Sequence, residues 1–295
     1  MSVGVLVMSY GTPRDRSDIG AYYTDIRRGK PPPEHLLADL VRRYDAIGGT
    51  FPLRSLTEAQ GASLRKALDE LGEFAVTLGC KHSAPRIADG MRVLAERRVD
   101  RVIGLVLAPH YSRRSIGEYA AQAAAAAAEF GLAVQVIESW HLLGDYLDFL
   151  TAAVRDALAG MPAGSEVVFT AHSLPQRILA TGDPYPEQLR ETAAAVATAA
   201  GLARWSVGWQ SAGRTPEPWL GPDVLDVVRD RAGAGVPGLV VCACGFVADH
   251  LEVAYDLDIE AARLAAEVGL PFARTRSVND DPAVCAALAR LVAER

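Results

Sequence analysis

His172 is the histidine whose surroundings in this sequence best suit chemistry. It follows a short apolar run and precedes a proline-containing turn, in the segment 171–175 (AHSLP). Histidine as a residue type gains and loses protons near neutral pH, so it can take a proton from a substrate or bind a metal ion. A lone histidine is more often structural, and the functional interpretation therefore depends on the residues that accompany it.

The segment 249–260 (DHLEVAYDLDIE) is unusually acidic. If it is helical, its carboxylates lie on one stripe of the helix, because about 100° of rotation per residue brings positions three and four apart together. The residues of this stripe are Asp249, Glu252, Asp256 and Glu260. A solvated acidic face is the plain alternative, but the other positions are mostly apolar, which favours burial. Carboxylate oxygens suit hydrated divalent cations. We therefore predict that this row handles a metal ion together with His172.

Several familiar chemistries are missing. The run after the first apolar segment, 9–15 (SYGTPRD), is neither a dinucleotide-binding fingerprint nor a phosphate loop. Ser173 lies between His172 and Leu174, so it does not form the G-x-S-x-G turn of a hydrolase. Cys242 and Cys244 form a C-x-C pair without two further ligands at compact spacing, which predicts buried, inert thiols.

The elements that must position these residues follow an alternating order. Short Val- and Ile-rich runs alternate with longer Ala-, Leu- and Arg-rich segments, a pattern typical of parallel sheets with crossover helices. The predicted strands are 3–9, 74–79, 101–107, 133–139, 166–171, 204–210, 238–243 and 271–276. We therefore predict an α/β fold of two Rossmann-like domains, 1–150 and 151–295, each with a four-stranded parallel sheet flanked by helices. The final helix, from 282 to 295, is expected to fold back on the first domain.

Polar residues gather directly after the predicted strands. These segments are 9–13 (SYGTP), 81–82 (KH), 109–112 (PHYS), 171–175 (AHSLP), 210–211 (QS) and 245–250 (GFVADH). In open parallel sheets the ligand crevice lies at the carboxyl ends of the strands. Turn chemistry explains any one of these segments, but six together predict one cleft between two facing domains.

Bulk properties limit the partners and the location. The chain has 295 residues and a formal net charge of -6, which argues against a general nucleic-acid binder. The N-terminus has no basic region before its apolar run, and no apolar run is long enough to span a membrane. The four cysteines do not form a disulfide framework. We expect a cytoplasmic monomer.

Taken together, these motifs resemble those of the ferrochelatase family, specifically the coproporphyrin-type enzymes of Gram-positive bacteria. The matching stretches, in the family's order, are 7–13 (VMSYGTP), 22–29 (YYTDIRRG), 44–49 (YDAIGG), 170–175 (TAHSLP), 182–186 (GDPYP), 209–211 (WQS), 215–222 (TPEPWLGP) and 245–256 (GFVADHLEVAYD). The resemblance implies the class II chelatase fold and insertion of Fe²⁺ into coproporphyrin III to give coproheme, in haem biosynthesis. Alternatives are a protoporphyrin IX ferrochelatase, a cobalt or nickel chelatase of the same superfamily, and a non-enzymatic tetrapyrrole carrier.

The resemblance also implies roles for individual residues. His172 and Glu252 match the catalytic, metal-binding pair on one side of the macrocycle, and Asp249, Asp256 and Glu260 match an acidic metal path beside it. The residues implied to contact the porphyrin are Tyr10, Ile26, Arg27, Arg28, Arg43, Tyr111 and Trp219. No cofactor is expected beyond the substrate iron. In particular, no iron–sulfur cluster is expected, because relatives carry it on a cysteine-rich C-terminal extension and only Cys285 lies near the end of this sequence. Transient hand-off of the product to a downstream coproheme decarboxylase is also implied.

Overall fold

A computed structural model describes residues 2–295, and its first half is built on a parallel sheet with the strand order β2-β1-β3-β4. The strands are β1 (Val3–Ser9), β2 (Phe74–Cys80), β3 (Arg101–Val106) and β4 (Ala133–Ile137). The helices of this half are α1 (Ile19–Ile26), α2 (Glu34–Ala46), α3 (Pro52–Asp69), α4 (Ile87–Glu96), α5 (Ile116–Glu129) and α6 (Gly144–Ala159). Helices α1 to α3 form the long crossover between β1 and β2.

The second half repeats the same arrangement, with the order β6-β5-β7-β8 and parallel pairing throughout. Its strands are β5 (Glu166–His172), β6 (Trp205–Gln210), β7 (Leu239–Cys242) and β8 (Phe272–Arg274). Its helices are α7 (Tyr185–Ala200), α8 (Val224–Gly233), α9 (Leu251–Ala254), α10 (Ala262–Glu267) and α11 (Pro282–Ala293), with a π-helical turn at Asp256–Ala261 between α9 and α10.

The central strands are apolar because helices cover both of their faces. From Gly4 to Ser9, every residue of β1 is buried, and β5 is buried from Glu166 to Ala171. One hydrophobic core cluster contains residues of both sheets, including Val5, Tyr146, Phe169 and Leu288. The two halves are therefore joined by a shared core rather than by a flexible linker.

The final helix α11 packs on α3 and α6 of the first half. Its buried face includes Val284, Leu288 and Val292, which belong to the shared core. An Arg290–Asp145 ion pair of 2.9 Å and a hydrogen bond from Arg101 to the backbone carbonyl of Arg295 add contacts across the same junction.

The predicted fold of two Rossmann-like halves, each with a four-stranded parallel sheet, is confirmed. The observed strands differ from the predicted ones by no more than two residues at any end. In each sheet the chain reverses its winding direction beside the central strand, between β1 and β3 and between β5 and β7. These are the positions where open parallel sheets bind ligands. Within residues 2–295, no helix combines the length and the apolar character needed to cross a membrane.

Candidate active site

A cavity of about 1080 Å³ lies between the two halves, at the carboxyl ends of both sheets. Its volume is slightly above the range that is typical of ligand sites, roughly 300–1,000 Å³. The first half contributes the segments after β1 and β2 together with parts of α1, α3 and α5. The second half contributes His172, the segment after β7, and the start of α9. The prediction of one cleft built from strand ends therefore agrees with the observed cavity.

His172 and Glu252 lie together in the wall formed by the second half. The distance from His172 Nε2 to Glu252 Oε1 is 3.6 Å, and each side chain is about one-third exposed, at 35% and 33%. His172 Nδ1 contacts the backbone carbonyl of Ser173. Because a carbonyl oxygen only accepts hydrogen bonds, Nδ1 carries the proton in the neutral ring and Nε2 keeps its lone pair. This pair can take a proton or bind a cation at one point of the wall.

Gln210, at the end of β6, holds the pair in place. Its side-chain amide donates to the backbone carbonyl of Glu252 over 3.0 Å, and its carbonyl accepts from the Thr170 hydroxyl over 2.9 Å. Gln210 is fully buried, so losing either bond would leave a costly unpaired polar group. Tyr185 adds a hydrogen bond to the backbone carbonyl of His172. These contacts fix the distance between the strand β5 and the start of α9.

Tyr10 forms part of the opposite wall, directly after β1. The residue is 41% exposed and lines the cavity. Enclosure by the cleft, together with the negative charge of Glu252, raises the pKa of the Tyr10 phenol well above its ordinary value, so the hydroxyl stays protonated. Both residues line the same cavity, so the Glu252 charge can act on Tyr10.

The segment at the end of α1 contributes only some of the predicted residues. Ile26 and Arg28 line the cavity. The Arg28 side chain is 84% exposed and lies 3.8 Å from Glu118. Arg27 is not part of the cavity wall: its guanidinium lies 5.9 Å from the ring centre of Tyr23. The porphyrin contacts expected of these arginines stay predictions.

Arg43 and Asp256 join the two halves behind the cavity wall. Arg43 Nη1 lies 3.2 Å from Asp256 Oδ1, and the same guanidinium lies 4.8 Å from the ring centre of Tyr255. Ser211 donates a hydrogen bond to the other oxygen of Asp256. Arg43 is therefore occupied by carboxylates of its own chain, and it does not line the cavity.

The predicted stripe of four carboxylates on one α-helix is wrong. Asp249 precedes α9, and its carboxylate is bound by Ser277, Asn279 and Arg274. The π-helical turn after α9 adds a residue to the turn that carries Asp256 and Glu260, which breaks the α-helical spacing. Within the described part of the chain, no three His, Cys, Asp or Glu side chains converge as a metal site. Of the predicted metal-binding residues, His172 and Glu252 form the pair in the cavity wall.

Tyr111 and Trp219 do not line this cavity, and the porphyrin contacts expected of them stay predictions. Tyr111 packs against the core between β3 and α5, and its backbone N–H donates to Gln188. The Trp219 indole packs over Gly213 and donates to the Thr215 hydroxyl. Trp219 thus supports the loop whose Gly213 lines the cavity.

Tyr119 is a cavity residue that the sequence analysis missed. It lies in the first turns of α5, is buried, and lines the cavity. The amino group of Lys81 lies 5.3 Å from its ring centre. Its signal in the sequence is an aromatic residue at the start of an alanine-rich helix that follows a strand.

The buried Asp256 should make the stability of the folded protein depend on pH. Burial and the nearby Glu252 charge raise its pKa to about 7, and the hydrogen bond from Ser211 and the charge of Arg43 oppose this shift. Because an unfolded aspartate has a pKa of about 3.9, the folded state binds the proton more tightly, and its stability falls as pH rises from about 4 to about 7. Asp256→Asn should therefore gain about 2 kcal/mol relative to the wild type between pH 5 and pH 8. Chemical denaturation at both pH values measures this change.

The exposed Asp226 on α8 supplies the matched control, because Asp226→Asn removes a carboxylate that is not buried. Its difference from the wild type should stay constant over the same pH range. Parallel stability curves for Asp256→Asn and the wild type would contradict the assignment of Asp256 as the titrating group.

Comparison with known proteins finds similar sequences over nearly the whole chain. A family model described as Ferrochelatase matches residues 2–295. The coproporphyrin III ferrochelatase of Geobacillus sp. (strain WCH70) is 43% identical over 302 residues, which cover 99% of this chain and 97% of that protein. The protein of the same name from Halalkalibacterium halodurans is 42% identical over 300 residues, which cover 99% and 97%.

Solved structures with the same architecture are more distant in sequence. SirB from Bacillus subtilis with Fe³⁺ matches with a TM-score of 0.61 and 10% identity, covering 100% of this chain and 95% of SirB. CbiX, described as the terminal enzyme of sirohaem biosynthesis in denitrifying bacteria, matches with a TM-score of 0.58 and 16% identity, covering 97% and 96%. At these identities the likeness establishes the fold alone.

Proposed function

Because this chain belongs to the ferrochelatase family, we propose that it inserts Fe²⁺ into coproporphyrin III, with release of two protons, to form coproheme in haem biosynthesis. The observation that carries the proposal is the His172–Glu252 pair in the wall of a cavity between two Rossmann-like halves. The names of the relatives that match over nearly the full length of the chain support the choice of porphyrin.

The chemistry needs two things that the site provides. Two pyrrole N–H bonds must break, and Fe²⁺ must exchange its water ligands for four ring nitrogens. His172 Nε2 has the free lone pair that accepts a proton at this wall. The Glu252 carboxylate attracts the dication and replaces part of its water shell. Both groups can act at one point above the ring because their polar atoms are 3.6 Å apart.

The rest of the cavity binds and shapes the macrocycle. Apolar and aromatic side chains such as Ile26, Leu174, Phe246 and Tyr119 line it. Burial of the ring against these groups supplies binding energy, part of which can be used to bend the ring and expose its nitrogens. Tyr10 stays protonated and approaches the ring from the opposite face.

The proposal extends to the cofactors, the partners and the location. The chain acts as a monomer in the cytoplasm, because a single chain provides both walls of the cavity and its four cysteines are unpaired. Iron is a substrate, and we expect no resident iron–sulfur cluster, because within residues 2–295 Cys80 lies in the first sheet, Cys285 lies on α11, and no three potential metal-binding side chains converge. The net charge of -6 speaks against nucleic acid as a partner. The product passes to a coproheme decarboxylase.

An anaerobic metallation assay tests the proposed function. Purified protein is mixed with coproporphyrin III and with Fe²⁺, Co²⁺ or Ni²⁺ in separate reactions, and absorbance follows the metallated product. We expect turnover with Fe²⁺. Turnover with Co²⁺ or Ni²⁺ but not with Fe²⁺ would indicate a cobalt or nickel chelatase, and tight porphyrin binding without turnover would indicate a carrier.

A further inference from the structure

The cavity wall on the Tyr10 side carries a second histidine–carboxylate pair that the mechanism above does not use. His82 follows β2, and its backbone N–H donates to the backbone carbonyl of Tyr10 over 3.0 Å. Its ring centre lies 4.6 Å from that of Tyr10. His82 lines the cavity and its side chain is 13% exposed. The backbone pairing between the ends of β1 and β2 thus holds His82 beside the group that faces the ring.

Asp25 and Arg86 fix the orientation of this imidazole. His82 Nδ1 lies 2.8 Å from Asp25 Oδ2. The Arg86 guanidinium donates two hydrogen bonds to the same carboxylate, of 3.0 and 2.8 Å. It also donates to the backbone carbonyl of Lys81. A two-point arginine–carboxylate contact has a fixed geometry. The chain Arg86–Asp25–His82 therefore holds the ring in one orientation.

These contacts also determine which ring nitrogen of His82 keeps a lone pair. The two bonds from Arg86 lower the pKa of Asp25, so Asp25 is ionised and can only accept a hydrogen bond. His82 Nδ1 must then be the donor, which leaves the lone pair on Nε2. Burial lowers the pKa of His82 below its ordinary value despite the opposing effect of Asp25, so the ring is neutral at neutral pH.

The other ionisable groups near His82 are ion-paired or keep their protons. Lys81 is ion-paired with Glu118 on α5 over 2.6 Å. Arg28 lies near that same Glu118. The Tyr10 phenol keeps its proton, as described above. His82 Nε2 is thus a neutral nitrogen with a lone pair at the cavity wall, beside Tyr10.

We propose that His82 is a second proton acceptor of the reaction, on the face of the macrocycle opposite His172, and that Asp25 and Arg86 are its positioning residues. This inference rests on the proposed function. Two pyrrole N–H bonds break and the ring nitrogens bind Fe²⁺, with no change in oxidation state. One proton goes to His172 Nε2 and the other to His82 Nε2. The one-third exposed Asp25 then connects the imidazolium to solvent.

Single-turnover metallation of pre-bound coproporphyrin III tests this inference. In His82→Gln, an amide that cannot take up a proton near neutral pH replaces the imidazole. We expect its rate to fall by at least about tenfold, because a positioned base typically contributes about 10² to 10⁴ in rate. The porphyrin dissociation constant should change by less than about threefold, since ring burial supplies most of the affinity. Added imidazole should restore at least part of the rate of His82→Ala but not that of His82→Gln.

A variant of Asp25 tests whether this residue positions His82. Asp25→Asn should slow metallation about threefold to tenfold, and the double variant Asp25→Asn/His82→Ala should be no slower than His82→Ala alone, because both changes act through one group. The matched control is Asp45→Asn, which removes another two-point arginine–aspartate contact, the Arg16–Asp45 pair on the exposed surface. This control should metallate at the wild-type rate.

Three results would overturn the inference while leaving the proposed function intact. The first is a metallation rate of His82→Gln within about twofold of the wild-type rate. The second is a slow metallation rate of His82→Ala that added imidazole does not restore. The third is a double variant whose loss of rate equals the sum of the losses, in free energy, of the Asp25 and His82 single variants. Failure of the wild-type protein itself to metallate coproporphyrin III would instead refute the proposed function, before any variant is compared.

Discussion

His172→Ala is expected to lower kcat for iron insertion by at least tenfold and to leave porphyrin binding largely intact. His172 Nε2 takes part in the chemical step, where loss of a general base typically costs 10² to 10⁴ in rate. The affinity for the ring comes mainly from the apolar and aromatic wall, which the change does not touch. Steady-state kinetics together with porphyrin fluorescence titration measure the two effects separately.

Two further variants sharpen this prediction. Glu252→Gln should also be severe, because it removes the charge that attracts Fe²⁺ at nearly constant size and should raise the KM for iron as well as lower kcat. His35→Ala, at an exposed position on α2, is the matched control and should behave like the wild type. If His172→Ala kept more than about a tenth of the wild-type kcat, a loss below about 1.4 kcal/mol, His172 would not be the base.

The second large effect is a preference for coproporphyrin III over protoporphyrin IX. Coproporphyrin carries four propionates, whereas protoporphyrin carries two propionates and two vinyl groups. Arg28 and Arg114 line the cavity and can meet the additional carboxylates. A charge-assisted hydrogen bond contributes roughly 1.5–3 kcal/mol before solvent screening, and exposure reduces this value. We expect kcat/KM to favour coproporphyrin III by about tenfold or more.

Arginine variants test the electrostatic reason for this preference. Arg28→Ala should reduce the ratio of the two kcat/KM values, whereas Arg27→Ala should reduce it less, because Arg27 lies outside the cavity wall. Arg92→Ala, in an exposed ion pair on α4, is the control and should leave the ratio unchanged. Equal or better kcat/KM with protoporphyrin IX would refute the preference. If neither Arg27→Ala nor Arg28→Ala altered the preference, coproporphyrin III would remain the substrate, but these arginines would not explain why it is preferred.

The positions of the strands and of the cavity follow from short-range patterns that a sequence displays. Alternating apolar and helical segments identify the strands, and polar residues after each strand identify the carboxyl edge. His172, at the end of β5, and Tyr10, just after β1, are therefore placed correctly at the cleft without knowledge of any contact.

Side-chain partners across the two halves do not follow from such patterns. Arg43 pairs with Asp256, which is 213 positions away in the sequence, and Asp249 binds the distant Arg274 and Asn279. The π-helical turn at Asp256–Ala261 has no local sequence signal that we recognise, so the acidic segment reads as one regular helix. Tyr119 was missed because an alanine-rich helix gives no indication of which of its turns borders a cavity.

A competition between the two porphyrins tests the central claim most directly. Purified protein is incubated anaerobically with equal amounts of coproporphyrin III and protoporphyrin IX and with limiting Fe²⁺, and mass spectrometry identifies the metallated product. The proposed function predicts that coproheme forms first and consumes most of the iron. Iron found mainly in protoporphyrin, or in neither porphyrin beyond the protein-free rate, would contradict it.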